Sequence, residues 1–401
     1  MTTEHVNPFR PGAGHPPPYL AGREEERRIF EKMLQQTVVL ENLVLTGLRG
    51  VGKTVLFDTF KPMAQSRGWL WAGTDLSESS SISEEAIATR LLADVATATS
   101  NVPIGQVVSR RIGFGEQETK QQITLTYTVL RQVYDQTPGL IADKLKAVLE
   151  LAWEALQTSQ TRGIVFAYDE AQNLADQAQE NQFPLSLLLD VFQSLQKKGV
   201  CFMLALTGLP TLFPKLVEAR TFAERMFRVV FLSKLNESDS RDAITKPMSA
   251  GAVRMTEESV NLIVKMSGGY PYFIQFMCRE VFDIFIAALT TKQKVEAVPT
   301  DAILRRLDSD FFAGRWARVT DRQRDLLFVV AKLDRGDDDE FSVQDVVEQS
   351  NKQLGKPFGA SHVNQMLVSL TTSGLIYKNR HGKYSFAVPL FGQFVLRQMQ
   401  S

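Results

Sequence analysis

Leu43-Val44-Leu45-Thr46-Gly47-Leu48-Arg49-Gly50-Val51-Gly52-Lys53-Thr54 is the stretch on which the reading of this chain turns. An apolar run leads into G-x-x-x-x-G-K-T, and Val55-Leu56-Phe57 then open an apolar helix. Strand, loop and helix in that order are the context a phosphate-binding loop requires. Glycines let backbone N–H groups curl around phosphate oxygens where side chains would obstruct them. The helix N-terminus adds the positive end of its dipole. The pattern therefore assigns Gly47 through Val55 to a nucleoside triphosphate, with Lys53 reaching the β- and γ-phosphates. The Thr54 hydroxyl becomes a ligand for Mg²⁺.

Working outward, 401 residues exceed one ordinary core and predict two or three domains. With 44% hydrophobic residues, the chain has enough apolar surface to fold and is not globally disordered. Lys+Arg and Asp+Glu both number 45, so no global charge draws it to nucleic acid or anionic membrane; such a site must be local. Cys201 and Cys278 each sit in an apolar run, which reads as two buried free thiols in a reducing compartment. His5, His15, His362 and His381 show no metal-ligand spacing. The longest strongly apolar runs, such as Val200 to Leu206, are far short of a membrane span, and the N-terminus lacks an apolar signal core. A cytoplasmic protein without a membrane partner is expected.

Residues 1–20 are broken by prolines and form an extended arm. Residues 21–235 read as an α/β unit. Its predicted strands are the run before Gly47, Trp69-Leu70-Trp71-Ala72, Ile164 to Glu170, Val200 to Leu206, and Val229-Val230-Phe231-Leu232. Helical segments separate them, giving a doubly wound parallel five-stranded sheet. Residues 101–139 are open between a hairpin of Val107 to Gly115 with Ile123 to Val129, turning at Gly113-Phe114-Gly115, and a helix that includes Leu130 and Val133. Residues 236–314 turn helical and read as a lid domain. In 315–401, three helices and a hairpin through Asn379-Arg380-His381-Gly382 read as a winged helix. Asp337-Asp338-Asp339-Glu340 reads as a solvated loop.

A second chemical signal closes the third predicted strand, where Tyr168 is followed by Asp169-Glu170. An acid at the end of a central strand can hold Mg²⁺, directly or through water, and its neighbour can polarise the water that attacks the γ-phosphate. Glu170 thus points to hydrolysis rather than binding alone. Thr207 ends the next strand, where it either helps place that water or serves as a turn residue before Gly208. Arg225 and Arg228 are either surface arginines or, in an oligomer, groups that reach a neighbour's γ-phosphate. Gly268-Gly269-Tyr270-Pro271 opens a helix; Pro271 either leans on the nucleotide or is ordinary first-turn chemistry.

Taken together, Gly22 to Glu26, Gly47 to Thr54, Tyr168-Asp169-Glu170, Thr207-Gly208, Arg225 and Gly269 to Gln275 resemble the AAA+ superfamily of P-loop ATPases. The likeness is to the archaeal and bacterial group between origin-recognition ATPases and STAND signalling NTPases, and it covers residues 5–401. It implies that Asp169 assists Mg²⁺, Glu170 is the catalytic acid–base residue, Thr207 is the first sensor and Arg225 an arginine finger. It also implies that the arm from Pro16 to Arg23, Tyr19 included, packs around adenine. The group's sensor arginine at the start of a lid helix is replaced here by Tyr270-Pro271-Tyr272, which favours the STAND side.

Duplex DNA is a candidate partner of the C-terminal module. From Ser361 to Ser401 there is no Asp or Glu, and Lys378, Arg380 and Lys383 fall on the hairpin, where they could touch phosphates. Asn364 and Gln365 could read adenine edges, yet the helix that carries them has no basic residue. Two functions stay open. One is an ATP-hydrolysing, Mg²⁺-dependent switch whose nucleotide state controls homo-oligomerisation and DNA engagement, in a mobile-element or defence setting. The other is a signalling switch that recruits a protein effector. The Arg110-Arg111 pair is a weaker candidate for DNA contact and reads more readily as a solvated surface pair.

Overall fold

The computed structural model describes residues 6–400 apart from 13, 78–82, 104, 111–117, 250–253, 292–297, 336–338 and 381. Gly113 to Gly115, Arg111, His381 and Asp337-Asp338 therefore lie outside the described residues. The chain divides into two compact units. One comprises 23–46 and 56–231, and the other 1–22, 47–55 and 232–401.

The first unit carries the sheet. Helix α1 (Glu24–Leu34) opens with three acids at its positive dipole end and buries Phe30, Met33 and Leu34. Then follow β1 (Asn42–Gly47), α2 (Lys53–Ser66), β2 (Trp69–Ala72) and α3 (Glu84–Thr99). The Ser83 hydroxyl accepts from Ala86 N–H and caps α3. Strands β3 (Gly105–Arg110) and β4 (Glu118–Ile123) pair as an antiparallel hairpin, and α4 (Tyr127–Gln136) follows. The second strand of the hairpin is thus Glu118–Ile123 rather than Ile123 to Val129, and the helix takes up Leu130 and Val133. Helix α5 (Ile141–Gln157), β5 (Gly163–Tyr168), α6 (Pro184–Lys197), β6 (Phe202–Gly208), α7 (Leu212–Ala219), α8 (Ala223–Met226) and β7 (Phe227–Leu232) complete the series.

The sheet runs β2-β5-β6-β1-β7. It has the predicted five strands, and the pairs of β2 with β5, β5 with β6 and β6 with β1 are parallel. Burial follows position: β1, β5 and β6 are buried at every residue, as interior strands covered on both faces must be. Edge strand β7 mixes buried with exposed residues and leaves Val229 and Phe231 in solvent. Leu45 pairs with Thr207 and Tyr168 with Leu206, so the carboxyl ends of β1, β5 and β6 reach the same edge of the sheet. In open parallel sheets that edge is where ligands bind.

The second unit begins with the arm. Phe9 is buried, Arg10 N–H donates to Gln275 Oε1, and Asn7 Nδ2 donates to the Arg279 carbonyl and to Asp283. The helices are α9 (Glu237–Thr245), α10 (Glu257–Ser267), α11 (Pro271–Thr291), α12 (Thr300–Leu307) and α13 (Ala313–Trp316), with a π-helical turn over Asp308–Phe312. Next come α14 (Asp321–Ala331), α15 (Val343–Gln353), α16 (Ala360–Thr372), the antiparallel pair β8 (Ile376–Arg380) and β9 (Lys383–Phe386), and α17 (Phe391–Gln400). Reciprocal capping boxes at Thr320/Gln323 and Ser342/Asp345 start α14 and α15. A single core joins the arm, α9–α12 and the C-terminal elements. Phe273, Phe312, Phe391 and Phe394 link ring to ring through its centre, and Arg397 pairs with Asp308 across residue 314.

Candidate functional site

The phosphate loop is built as the sequence predicts, between β1 and α2. Gly50 and Gly52 adopt φ of +80° and +88°, left-handed values that side chains rarely accept. Lys53 is buried, and its ammonium donates to the carbonyls of Gly47 at 2.9 Å and Leu48 at 3.0 Å. The cation is therefore folded back over its own loop, where phosphate oxygens could replace carbonyl oxygens as acceptors. Within the same unit, the Tyr272 N–H at the start of α11 donates to the Gly50 carbonyl at 3.2 Å. Pro271 sits at the first position of α11, half-buried. Tyr19 accepts from Lys246 at 2.8 Å, with the ammonium 4.4 Å above its ring. Arg49 is exposed, and burial, then repulsion from Arg49, hold the half-buried Arg315 guanidinium below its usual range.

A group of acidic residues lies on the sheet unit. Asp169, at the end of β5, is almost fully buried, and its Oδ1 accepts from the Thr207 hydroxyl at 2.9 Å. The same oxygen accepts from Glu170 N–H at 2.7 Å. Glu170 is exposed and takes φ +52°, a conformation uncommon outside glycine. Asp75 bridges Asp169 through the backbone, with Leu76 N–H donating to the Asp169 carbonyl at 2.9 Å. Burial and then the charge of Asp169 push the Asp58 and Asp75 carboxyls up. Sequence reasoning missed both, although Asp58 lies four residues after Thr54 on α2 and so on the same helical face.

That donor set suits Mg²⁺. The ion is hard, takes oxygen ligands, and binds through one or two carboxylates plus waters and phosphate rather than through an all-protein cage. Among the described residues no group of three or more His, Cys, Asp or Glu is arranged to enclose a metal. What they present instead is one buried acid near two carboxyls that burial, and then its charge, destabilise, a field that a divalent cation would relieve.

The arginines at the β7 edge differ. Arg225, on α8, is exposed and makes no ion pair among the described residues, whereas Arg228 lies 3.9 Å from Glu41. Arg23, expected near adenine, is buried and bonded to Glu26 at the start of α1. In the C-terminal elements, α16 buries Val363, Met366, Leu367 and Leu370 and exposes Asn364, Gln365 and Val368. Lys378 is exposed on β8, and Phe341 pairs with Tyr384, extending the hairpin by one bridge. Among the described residues no helix is long and apolar enough to cross a membrane. Both cysteines are buried free thiols.

Comparison with known proteins fits this geometry. Residues 19–216 match the family model of the AAA ATPase domain, and the chain accordingly carries an AAA+ P-loop ATPase domain. Residues 309–395 match a model described as a domain of unknown function. No curated protein matches the chain. Among solved structures, the Walker-type ATPase of Pyrococcus abyssi is similar at 15% identity and a TM-score of 0.57, over 94% of this chain and 96% of that one; the likeness is one of fold. Cdc6p of Pyrobaculum aerophilum matches at 13% identity and a TM-score of 0.48, over 97% of each chain. The ORC1 protein of Aeropyrum pernix, solved in complex with DNA, matches at 14% identity and a TM-score of 0.47, over 96% of this chain and 94% of that one.

Proposed function

We propose that the chain hydrolyses ATP with Mg²⁺, and that the bound nucleotide controls both self-assembly and engagement of duplex DNA through a C-terminal winged helix. The observation that carries the hydrolytic reading is the buried Asp169 with Thr207 bonded to it at 2.9 Å and Glu170 exposed beside it. The amides of Gly47 to Val55 and the Lys53 ammonium hold the phosphate tail. Thr54 Oγ1 and Asp169 are the ligands of Mg²⁺, which when bound offsets charge on the phosphate oxygens. Glu170 orients the attacking water and accepts its proton, while Thr207 steadies Asp169. Tyr19, Arg23 and Pro271 contact the nucleoside. Arg225, exposed and without an ion pair among the described residues, supports a role towards the nucleotide of a neighbouring copy.

For DNA, support comes from the exposed Asn364 and Gln365 on α16 and the exposed Lys378 on the hairpin. One observation favours the second reading, a switch that recruits a protein effector. Val368, 66% exposed, shares the outward face of α16 with those amides, and no cation accompanies it. ATPase rates of the full chain with and without duplex DNA, across a salt series, decide between them. DNA-stimulated turnover that falls with salt supports the first reading; salt-independent, DNA-indifferent turnover overturns it in favour of the second.

A further inference from the structure

Gln172 lies in a 3-10 turn (Ala171–Asn173) directly after Glu170, and each end of its carboxamide is engaged. Its Nε2 donates to Glu170 Oε2. Its Oε1 accepts from the Leu209 N–H at 3.1 Å, the first amide beyond β6. Only one orientation of the amide satisfies both partners, because a carboxylate needs a donor and an N–H needs an acceptor. The turn itself is pinned twice more. Lys215 Nζ donates to the Gln172 carbonyl at 3.0 Å, and Asn173 Nδ2 donates to the Leu76 carbonyl at 2.8 Å. Lys215 is half-buried, and that burial pushes its ammonium below its usual range. Gly208 completes the arrangement: a Cβ there would stand 2.5 Å from Gln172 Oε1.

We infer that Gln172 is a positioning residue for ATP hydrolysis, fixing the Glu170 carboxylate to the end of the strand that bears Thr207. The inference rests on the reading of Glu170 as the residue that orients water. Glu170 is exposed and its backbone is left-handed, so without a tether its side chain would sample several rotamers. The bridge through Gln172 to Leu209 N–H removes that freedom and places base and first-sensor strand in one hydrogen-bonded frame. Asp169 completes the frame from the other side, through Thr207. A carboxylate displaced by an ångström from its water loses on the order of a hundredfold in rate.

The test is steady-state and single-turnover ATP hydrolysis by the full chain, with ATP affinity measured alongside. Gln172→Ala is expected to lower kcat by about tenfold or more while KM and ATP affinity stay within about twofold, since it removes an interaction of the reacting centre and not of binding. Gln172→Glu retains the acceptor for Leu209 N–H but loses the donor to Glu170, and is expected to fall alike. Gly208→Ala crowds the carboxamide and is expected to reproduce the loss. In a Glu170→Gln background, Gln172→Ala is expected to add less than about twofold, because one residue works through the other.

Wild-type kcat in Gln172→Glu, faster turnover in Gln172→Ala, or a full additional loss in the double variant would overturn the inference. Unchanged hydrolysis in Glu170→Gln alone would remove its foundation and is read separately from the Gln172 arms.

Discussion

The backbone N–H of Tyr272 donates to the carbonyl of Gly50 at 3.2 Å, joining the first turn of α11 to the phosphate loop. Pro271, one residue earlier, has no N–H, so Tyr272 is the first donor that the helix start offers. A loop that must cradle phosphate is thus tied at its midpoint to a helix whose other residues hold the arm and the C-terminal core.

Gly50→Ala should therefore weaken nucleotide binding without unfolding the chain. Its φ of +80° costs a residue with a Cβ about 1–2 kcal/mol, and that Cβ would lie 3.4 Å from Tyr272 Cβ. The expected loss is about 5- to 30-fold in ATP affinity by calorimetric titration. An affinity equal to the parent chain would mean that the loop relaxes freely on binding.

Lys53→Ala should cost more. Charge-assisted hydrogen bonds contribute about 1.5–3 kcal/mol each, so ATP affinity should fall by about 10- to 100-fold or beyond. Any ATP-dependent change in particle size, followed by light scattering, should disappear with it. An assembly that still responds to ATP in this variant would place nucleotide recognition elsewhere.

Glu170→Gln should separate binding from turnover. The amide cannot take a proton from water, and general-base catalysis is worth about 10²- to 10⁴-fold. Hydrolysis should fall by that factor while ATP affinity holds, and the ATP-bound assembly should persist. Phosphate release at the parental rate would assign the base to another group.

Alkaline pH should destabilise the chain through its tyrosines. Tyr168 is fully buried, its hydroxyl donates to Asp94 at 2.8 Å, and Asp94 in turn pairs with Arg90. Burial, and then Asp94, push the phenol well above its usual range, and burial pushes Tyr270 up to about 12. Below the unfolded value near 10 both states keep the proton, so the stabilising contribution is complete there. Above it the unfolded chain releases the proton first, and stability falls by up to about 1.4 kcal/mol per pH unit for each such group. Urea midpoints should drop above pH 10. Tyr168→Phe should flatten the slope while lowering stability at neutral pH by about 1–3 kcal/mol, the cost of Asp94 losing a buried donor. A slope unchanged in that variant would exclude Tyr168 from the effect.

Substituting Lys378 and Lys383 with alanine bears on the DNA reading. Each phosphate contact removed should reduce the salt dependence of duplex binding by about one unit of slope. Equal slopes in parent and variant would take the hairpin out of any DNA interface.

Much of this architecture is legible in the sequence because interior parallel strands announce themselves as apolar runs. Ile164 to Glu170 and Val200 to Leu206 are predicted as strands; the observed β5 ends two residues earlier and β6 starts two residues later, and both are buried throughout. The edge strand is harder: Phe227 and Arg228 belong to β7, but its mixed burial blurs where it starts. The β3–β4 hairpin has the polar residues Gln106, Ser109, Thr119, Lys120, Gln121 and Gln122, which give no apolar alternation to follow. Within the site, G-x-x-x-x-G-K-T and Asp169-Glu170 are visible because each is local. Gln172 is not, since its acceptor bond joins it to Leu209, thirty-seven positions further on. Asp58 and Asp75 gain meaning only once folding gathers them around Asp169.

Phe273, Phe312, Phe391 and Phe394 place the helix that meets the phosphate loop, the turn at Asp308–Phe312 and α17 in one continuous core, to which α16 adds Val363, Met366, Leu367 and Leu370. Cutting the chain at 314 would therefore part Phe312 from Phe391 and Phe394 and open that core to water, rather than free a module.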